Sequence, residues 1–421
     1  MYKHFQLDNG IKIILENIPH FRSVSFGIWF RAGSAFENQK ENGLSHFIEH
    51  MLFKGTKERT ARQIAETIDS IGGQLNAFTA KEYTCFYCKV MDEHIETGIN
   101  LLSDMILNST IDEEEFEKEK SVILEEINMY EDSPEDLVHE LLSEAFFGQH
   151  PLAMPILGRA GQLIKYSKSE MQDFLSRFYT TDNMVISAAG NIQEENLLKI
   201  IEKYFGNWNH RGSIPEQEKI KYSKGSILFT KKEIEQFHAS IAFPGIPVGH
   251  DDIYPMLVMN NILGGGMSSR LFQKIREDRG LAYSVFSYPS SYLTGGMFSI
   301  YAGMKPNQTE EVLKLIMEEV SLLSNKGFNE REFNMAKEQL KGNYILSTES
   351  TGSRMNAIGK AKLLMDKVST QEEIIEKINR VEPEDVKKLI QEILRPELAS
   401  VALVGSEDMT ERVWSIVAGG I

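Results

Sequence analysis

Residues 167–191, SKSEMQDFLSRFYTTDNMVISAAGN, and residues 382–405, EPEDVKKLIQEILRPELASVALVG, carry one plan twice. Each is a capped helix, a short break and an apolar strand that ends at Gly190 or Gly405, an offset of 215 residues. Upstream, residues 96–124 and 310–340 both read as helix, turn and helix, and Phe116 aligned on Phe333 gives an offset of 217. A period this long is not a solenoid repeat and reads as duplication of a whole domain. The polar segment Asn207–Lys224, with its Gly and Pro, is the natural linker. The expected organisation is therefore one domain over 1–206, a linker over 207–224 and a similar domain over 225–421.

Within each half the pattern is α+β. Residues 4–17, HFQLDNGIKIILEN, alternate around an Asn9-Gly10 turn, SVSFGIWFRAG (23–33) is a further strand, and residues 74–91 hold two more, split around 80–82. Helical periodicity covers roughly 43–53, 60–71, 92–107, 112–130 and 134–146. Strands grouped with helix pairs, without strict alternation, predict two similar domains related by duplication. Each is a mostly antiparallel sheet with helices covering one face.

Composition bounds the function. Of 421 residues, 42% are apolar and 25% charged, which is ordinary globular composition. The net charge of −16 argues against nucleic acid and against a polyanionic membrane surface as partners. It suggests an acidic binding surface with a preference for basic peptides. No apolar run approaches the ~18 residues of a membrane span, and MYKHFQLDNG has no signal or transit character. These features predict a cytoplasmic protein. Cys85 and Cys88 are the only cysteines, and in the strand pattern YTCFYCKV they face opposite sides, so they read as buried thiols rather than as a disulfide or metal pair. His139 and His150 lack partners at ligand spacing and read as structural. Trp29, Phe30 and Phe36 read as core.

The chemistry is concentrated in GLSHFIEHMLFKGT, residues 43–56. His46 and His50 stand at i and i+4 of a helix and can reach one ion. Glu49 lies near the same face and can take a proton from a metal-activated water without ligating the metal. This H-x-x-E-H order is the inverted zincin spacing. A catalytic Zn²⁺ needs a third protein ligand and one open position. The helix EEEFEKEKSVILEEINMYE (113–131) offers Glu119 and Glu126, seven apart on one face, but its acidic composition does not decide between Glu125 and Glu126.

GLSHFIEHMLFKGT, followed by VILEEINMYEDSPED and HPLAMPILG, resembles the pitrilysin-type (insulinase) zinc metallopeptidases. It is most similar to the branch that holds the mitochondrial processing peptidase and its bacterial relatives. The resemblance implies His46, His50 and Glu126 as zinc ligands, Glu49 as general base and Glu119 as supporting carboxylate. It implies further that Arg276 and Tyr283, seven apart in GGGMSSRLFQKIREDRGLAYSVFS (264–287), reach substrate carbonyls near the cleaved bond. Arg270 and Arg279 compete for that role, and Gly264–Gly266 reads as a hinge or a peptide-contacting loop. Asn76, Ala77 and Phe78, in GGQLNAFTAKEYT, match the family's edge strand that pairs with an extended peptide. By the 217 offset Glu119 falls on Ala336 and Glu126 on Asn343, so the second half has no metal site of this kind. The expected protein is a zinc endopeptidase acting on unfolded peptides inside a homodimeric chamber. The alternatives are a non-catalytic binding or assembly subunit, or an active subunit that needs a different partner chain.

Overall fold

The alternating runs assemble into two sheets of matching order. The computed structural model describes residues 2–213 and 217–419; Ile214, Pro215 and Glu216, inside the expected linker, lie outside the described residues. The first sheet contains β1 (Lys3–Gln6), β2 (Lys12–Asn17), β3 (Ser23–Phe30), β4 (Gln74–Thr79), β5 (Thr84–Met91) and β6 (Met184–Gly190), in the order β1-β2-β6-β3-β5-β4. The second contains β7 (Ile227–Lys231), β8 (Phe237–Gly245), β9 (Ala282–Tyr292), β10 (Gly295–Met304) and β11 (Ser400–Gly405), in the order β7-β11-β8-β10-β9. Each has one parallel pair, β2 with β6 and β7 with β11, and is otherwise antiparallel. The α+β fold with duplicated, mostly antiparallel sheets is thus the one expected.

The helices of the first half are α1 (Leu44–Leu52), α2 (Ala61–Ser70), α3 (Ile95–Asn108), α4 (Glu113–Asp132), α5 (Pro134–Phe147), α6 (Ala160–Leu163), α7 (Lys168–Phe178) and α8 (Glu194–Phe205). Those of the second half are α9 (Ile253–Leu263), α10 (Thr309–Lys326), α11 (Glu330–Ser347), α12 (Thr351–Met365), α13 (Gln371–Arg380), α14 (Pro383–Ile393) and α15 (Thr410–Ala418). The first residues of α4 and α11 repeat the 217 offset, and those of α7 and α14 the 215 offset. Phe116 and Phe333, the aligned pair, each sit in the core of their own unit.

By packing, one unit takes the described residues of 1–127, 154–216 and 345–370, and the other those of 128–153, 217–344 and 371–421. These units are discontinuous because two helices are exchanged. The α5 helix, encoded in the first half, packs on β7, β8 and β11. Its counterpart α12, encoded in the second half, packs on β2, β3 and β6.

The exchange corrects the expectation of sheets covered on one face. Val24, Phe26, Ile28 and Phe30 of β3 face the main core. The alternate residues Ser25, Gly27 and Trp29 lie under α12. Ser25 and Thr351 hydroxyls share a 2.9 Å hydrogen bond, and Trp29 Nε1 donates to Ser187 Oγ at 2.8 Å. Arg354 of α12 forms an ion pair with the buried Glu16 carboxylate at 2.5 Å. Ser25 and Gly27 are small where a helix lies on them. At Gly359 an added Cβ would come within 2.3 Å of Trp29 Nε1.

Gly359→Ala should therefore destabilise the protein by about 1–3 kcal/mol and lower the melting temperature by roughly 3–10 °C. Gly342→Ala, inside α11 where nothing lies within 4 Å of the added Cβ, should be neutral or stabilising by about 0.5–1 kcal/mol. Thermal denaturation of the two variants side by side checks the contrast.

Candidate metal centre

The helix that carries the H-x-x-E-H residues is started by a buried carboxylate. Glu37 accepts the backbone N–H groups of Gly43 at 2.8 Å and Ser45 at 2.7 Å, and the Asn42 side-chain amide at 3.2 Å. An anion here satisfies N–H groups that lack helical partners and suits the positive end of the helix. Burial pushes the Glu37 carboxyl up, against the pull of those donors. Gly43, at φ 100°, seats against the backbone of Leu157 and Gly158 in the HPLAMPILG segment, where a Cβ would lie 2.8 Å from Leu157 O.

On α1 the Nε2 atoms of His46 and His50 approach to 3.2 Å. From α4, Glu126 Oε2 comes within 3.7 Å of His46 Nε2 and 3.5 Å of His50 Nε2. Ligand atoms held ~2.0–2.1 Å from one tetrahedral ion stand about 3.3 Å from each other, so this three-atom cluster has the size of a zinc ligand set. Glu125 is exposed and takes no part in the cluster, so of the two glutamates it is Glu126 that lies beside the histidines.

Protonation fits the same reading. Burial and the neighbouring His50 hold His46 down to about 3, so its imidazole is neutral, as a ligand must be. His50 Nδ1 donates to Glu119 Oε1 at 2.8 Å, which leaves His50 Nε2 with its lone pair toward the cluster. The His46 Nε2 atom lies opposite that lone pair, and a cation placed between the two rings would bind both nitrogens. Glu119 is itself buried, and Lys54 Nζ reaches its other oxygen at 2.6 Å. Burial would raise the Glu119 carboxyl, but the bonds from His50 and Lys54 outweigh it and hold it below the ordinary carboxylate range.

Glu49 stands outside the three-atom cluster. Its Oε2 accepts a 2.5 Å hydrogen bond from Thr79 Oγ1, at the end of β4. Burial lifts the Glu49 carboxyl above its ordinary value, with Thr79 and His50 opposing. That makes it a stronger proton acceptor. Asn76, Ala77 and Phe78 belong to β4, the edge of the first sheet, paired on one side with β5. The Ala77 N–H is taken by its neighbour's Asn76 Oδ1 at 2.8 Å.

In the other unit, Arg276 and Tyr283 are brought together. The Arg276 guanidinium lies 4.8 Å from the Phe272 ring centre and 5.3 Å from that of Tyr283. Tyr283 is 77% exposed, so it is not a core residue. Arg270 and Arg279 are committed elsewhere: Arg270 forms a two-pronged pair with Glu332 at 2.6 and 3.0 Å, and Arg279 meets Glu311 at 3.3 Å. Within Gly264–Gly266, Gly264 packs closely on β9, where an added Cβ would lie 2.6 Å from the Ser287 backbone nitrogen.

Both cysteines are free and buried on opposite faces of β5, as the strand pattern predicts. His139 is bonded to the Tyr288 hydroxyl at 2.7 Å, and His150 donates to Glu218 O at 3.0 Å, both structural. Sequence reasoning missed Glu37, Lys54 and Thr79. Lys54 carried a usable signal, since it follows His50 by four residues. The other two come from segments remote from α1, with no periodic relation to it.

The model of the insulinase family, peptidase family M16, matches residues 12–160, and that of the peptidase M16 inactive domain matches residues 165–340. The chain belongs to peptidase family M16. A protein of Bacillus subtilis named uncharacterized zinc protease YmxG is 46% identical over 409 residues, covering 97% of this chain and 100% of that one. An uncharacterized zinc protease of Streptomyces coelicolor is 36% identical over 407 residues, covering 94% and 88%. Among solved structures, a protease from Helicobacter pylori superposes with a TM-score of 0.92 at 19% identity, covering 96% of this chain and 99% of that one. A peptidase M16 inactive domain from Pseudomonas fluorescens gives 0.91 at 20% identity, covering 97% and 98%. The last two likenesses speak to the fold alone.

Supporting carboxylates of this kind are commonly worth about 10–100-fold in metal affinity. Glu119→Gln should weaken zinc binding by that order, because the neutral amide is a poorer acceptor for His50 Nδ1 and strands Lys54. Zinc titration against a competing chelator measures it, and an unchanged affinity would remove Glu119 from the site.

Proposed function

We propose that this member of family M16 is a zinc-dependent endopeptidase that cleaves unfolded peptides or protein segments. The single observation that supports the reading most is the convergence of His46, His50 and Glu126 beside Glu49, a half-buried glutamate that remains outside the ligand set. Zinc held by those three residues supplies Lewis acidity toward the scissile carbonyl and toward water. The chain's own residues do the rest. Glu49 takes the proton of the attacking water and returns it to the leaving amine. The free edge of β4 pairs with the extended peptide backbone through Asn76, Ala77 and Phe78. Arg276 and Tyr283 donate to substrate carbonyl oxygens, and the Tyr283 hydroxyl suits a developing oxyanion.

Glu49→Gln should keep one zinc per chain while peptide cleavage falls by about 10²–10⁴-fold. Metal analysis together with cleavage of a mixed peptide library checks both halves of the statement, and full activity in that variant would sink the mechanism.

The competing reading is a non-catalytic binding subunit. Its support is Ala336 and Asn343 standing where the first half has Glu119 and Glu126, together with the match of residues 165–340 to the model of the peptidase M16 inactive domain. Three convergent ligands and a base in the first half count against it, since a scaffold has no physical need of them.

The proposed working form is a homodimer in which the second half of one subunit completes the site of the other. His50→Ala and Arg276→Ala should each be inactive alone, while an equal mixture allowed to exchange subunits should recover about a quarter of full activity. No recovery would argue for sites completed within one chain or by a different partner. Among the described residues no helix is long and apolar enough to cross a membrane. Two buried free thiols suit the reducing cytoplasm proposed for the protein.

A further inference from the structure

The end of the substrate-pairing strand is tied directly to the general base. Thr79 is the last residue of β4, and its side chain leaves the sheet on the helix side, as does that of Ala77 two residues earlier, which is in the core cluster. Its hydroxyl ends 2.5 Å from Glu49 Oε2. The direction of that bond is settled by the neighbours. Thr84, directly opposite Thr79 in the register, gives its proton to Ala32 O at 2.9 Å and stands 3.5 Å from Thr79 Oγ1. A backbone carbonyl can only accept, so the Thr84 proton is spent there, and the Thr79 proton is free to go to Glu49.

Residues of three strands thus meet around this hydroxyl. The Thr84 contact comes from the start of β5, Ala32 follows the end of β3, and Thr79 closes β4. The branched Cβ of a threonine restricts χ1, which limits the positions open to Oγ1. The Glu49 carboxylate has two oxygens. One is held by Thr79, which leaves the other to receive a proton. A carboxylate on a helix with no such anchor could rotate and present either oxygen at varying distances, and proton transfer is sensitive to that geometry.

We propose that Thr79 is a positioning residue that orients Glu49 and couples it to the strand on which the peptide is laid. This rests on the endopeptidase reading above. A peptide added to the edge of β4 would firm the strand that holds the base, so backbone pairing and base alignment would rise together. The residue does not touch the metal cluster, and its loss should leave zinc in place.

The test compares wild type, Thr79→Val, Thr79→Ser and Glu49→Gln in zinc content, melting temperature and steady-state cleavage of one fluorogenic unfolded peptide. Thr79→Val keeps the shape and removes the hydroxyl. It should retain one zinc per chain and a KM within twofold, while kcat falls by roughly 10–100-fold, part of the range of general-base catalysis. Thr79→Ser restores the hydroxyl and should return kcat to within about threefold of wild type. A Thr79→Val enzyme with wild-type kcat overturns the inference. So does loss of zinc in that variant, or a Thr79→Ser enzyme as slow as Thr79→Val, since then shape or metal retention would be the cause. The two levels separate cleanly. Full cleavage by Glu49→Gln removes the mechanism on which the inference stands. An inactive Glu49→Gln beside a fully active Thr79→Val removes only the role of Thr79.

Discussion

The hydrogen bond from His50 Nδ1 to Glu119, backed by Lys54, is the contact on which the rest of the centre depends. A histidine pair packed against an acidic helix would otherwise be unstable in either protonation state. With both rings charged, two imidazolium ions would face each other at 3.2 Å. With the wrong tautomer, an N–H would block the cluster. The carboxylate at 119 decides the matter by claiming the proton at Nδ1. Lys54 in turn makes that buried carboxylate tolerable, because a buried charge without a partner costs several kcal/mol. The order of causes runs from the outside in: a cation on the rim, a buried anion, an oriented ring and then a lone pair aimed at one point.

Duplication explains why the same architecture occurs in a half that lacks the ligands. The 217 offset puts Phe116 and Phe333 in equivalent cores, so the helix register was retained. At that register the second half has Ala336 and Asn343, of which Ala336 is buried. Removing a buried carboxylate together with its partners is energetically mild, since the desolvation cost disappears with it. The exchanged helices add a further constraint. With α5 packed on β7, β8 and β11, and α12 on β2, β3 and β6, the first 206 residues alone would leave the face bearing Ser25, Gly27 and Trp29 uncovered.

The sequence was legible where information is local. Helix and strand limits follow from periodicity, and the spacing of His46, Glu49 and His50 needs only the geometry of one helix. The two cysteines were assigned to opposite faces by strand alternation alone. Legibility ended where the answer depends on what packs against what. Glu125 and Glu126 are adjacent on the same acidic helix, and only the position of α1 separates them. Ser25 and Gly27 lie under α12, which comes from the other half of the chain. Glu37 and Thr79 lie 9 and 33 residues from His46 and have no repeating relation to it. Their roles come from where the chain returns, which no local pattern encodes.

The matched edges β4 and β9 carry the last step. Both lie at the same end of equivalent sheet orders, so the ancestral repeat offered two similar free edges. The two strand ends nevertheless carry different side chains. The β4 end has Thr79, a short neutral donor that fixes a carboxylate without neutralising it. Near the start of β9 stands Tyr283, with Arg276 stacked on its ring and no carboxylate paired to that guanidinium among the described residues. An arginine held by rings rather than by an acid keeps its N–H donors available, whereas Arg270 has given its own to Glu332. Stacking is thus a device that orders the cation without consuming its hydrogen bonds, and it distinguishes Arg276 from Arg270 and Arg279, whose guanidinium groups are paired with carboxylates.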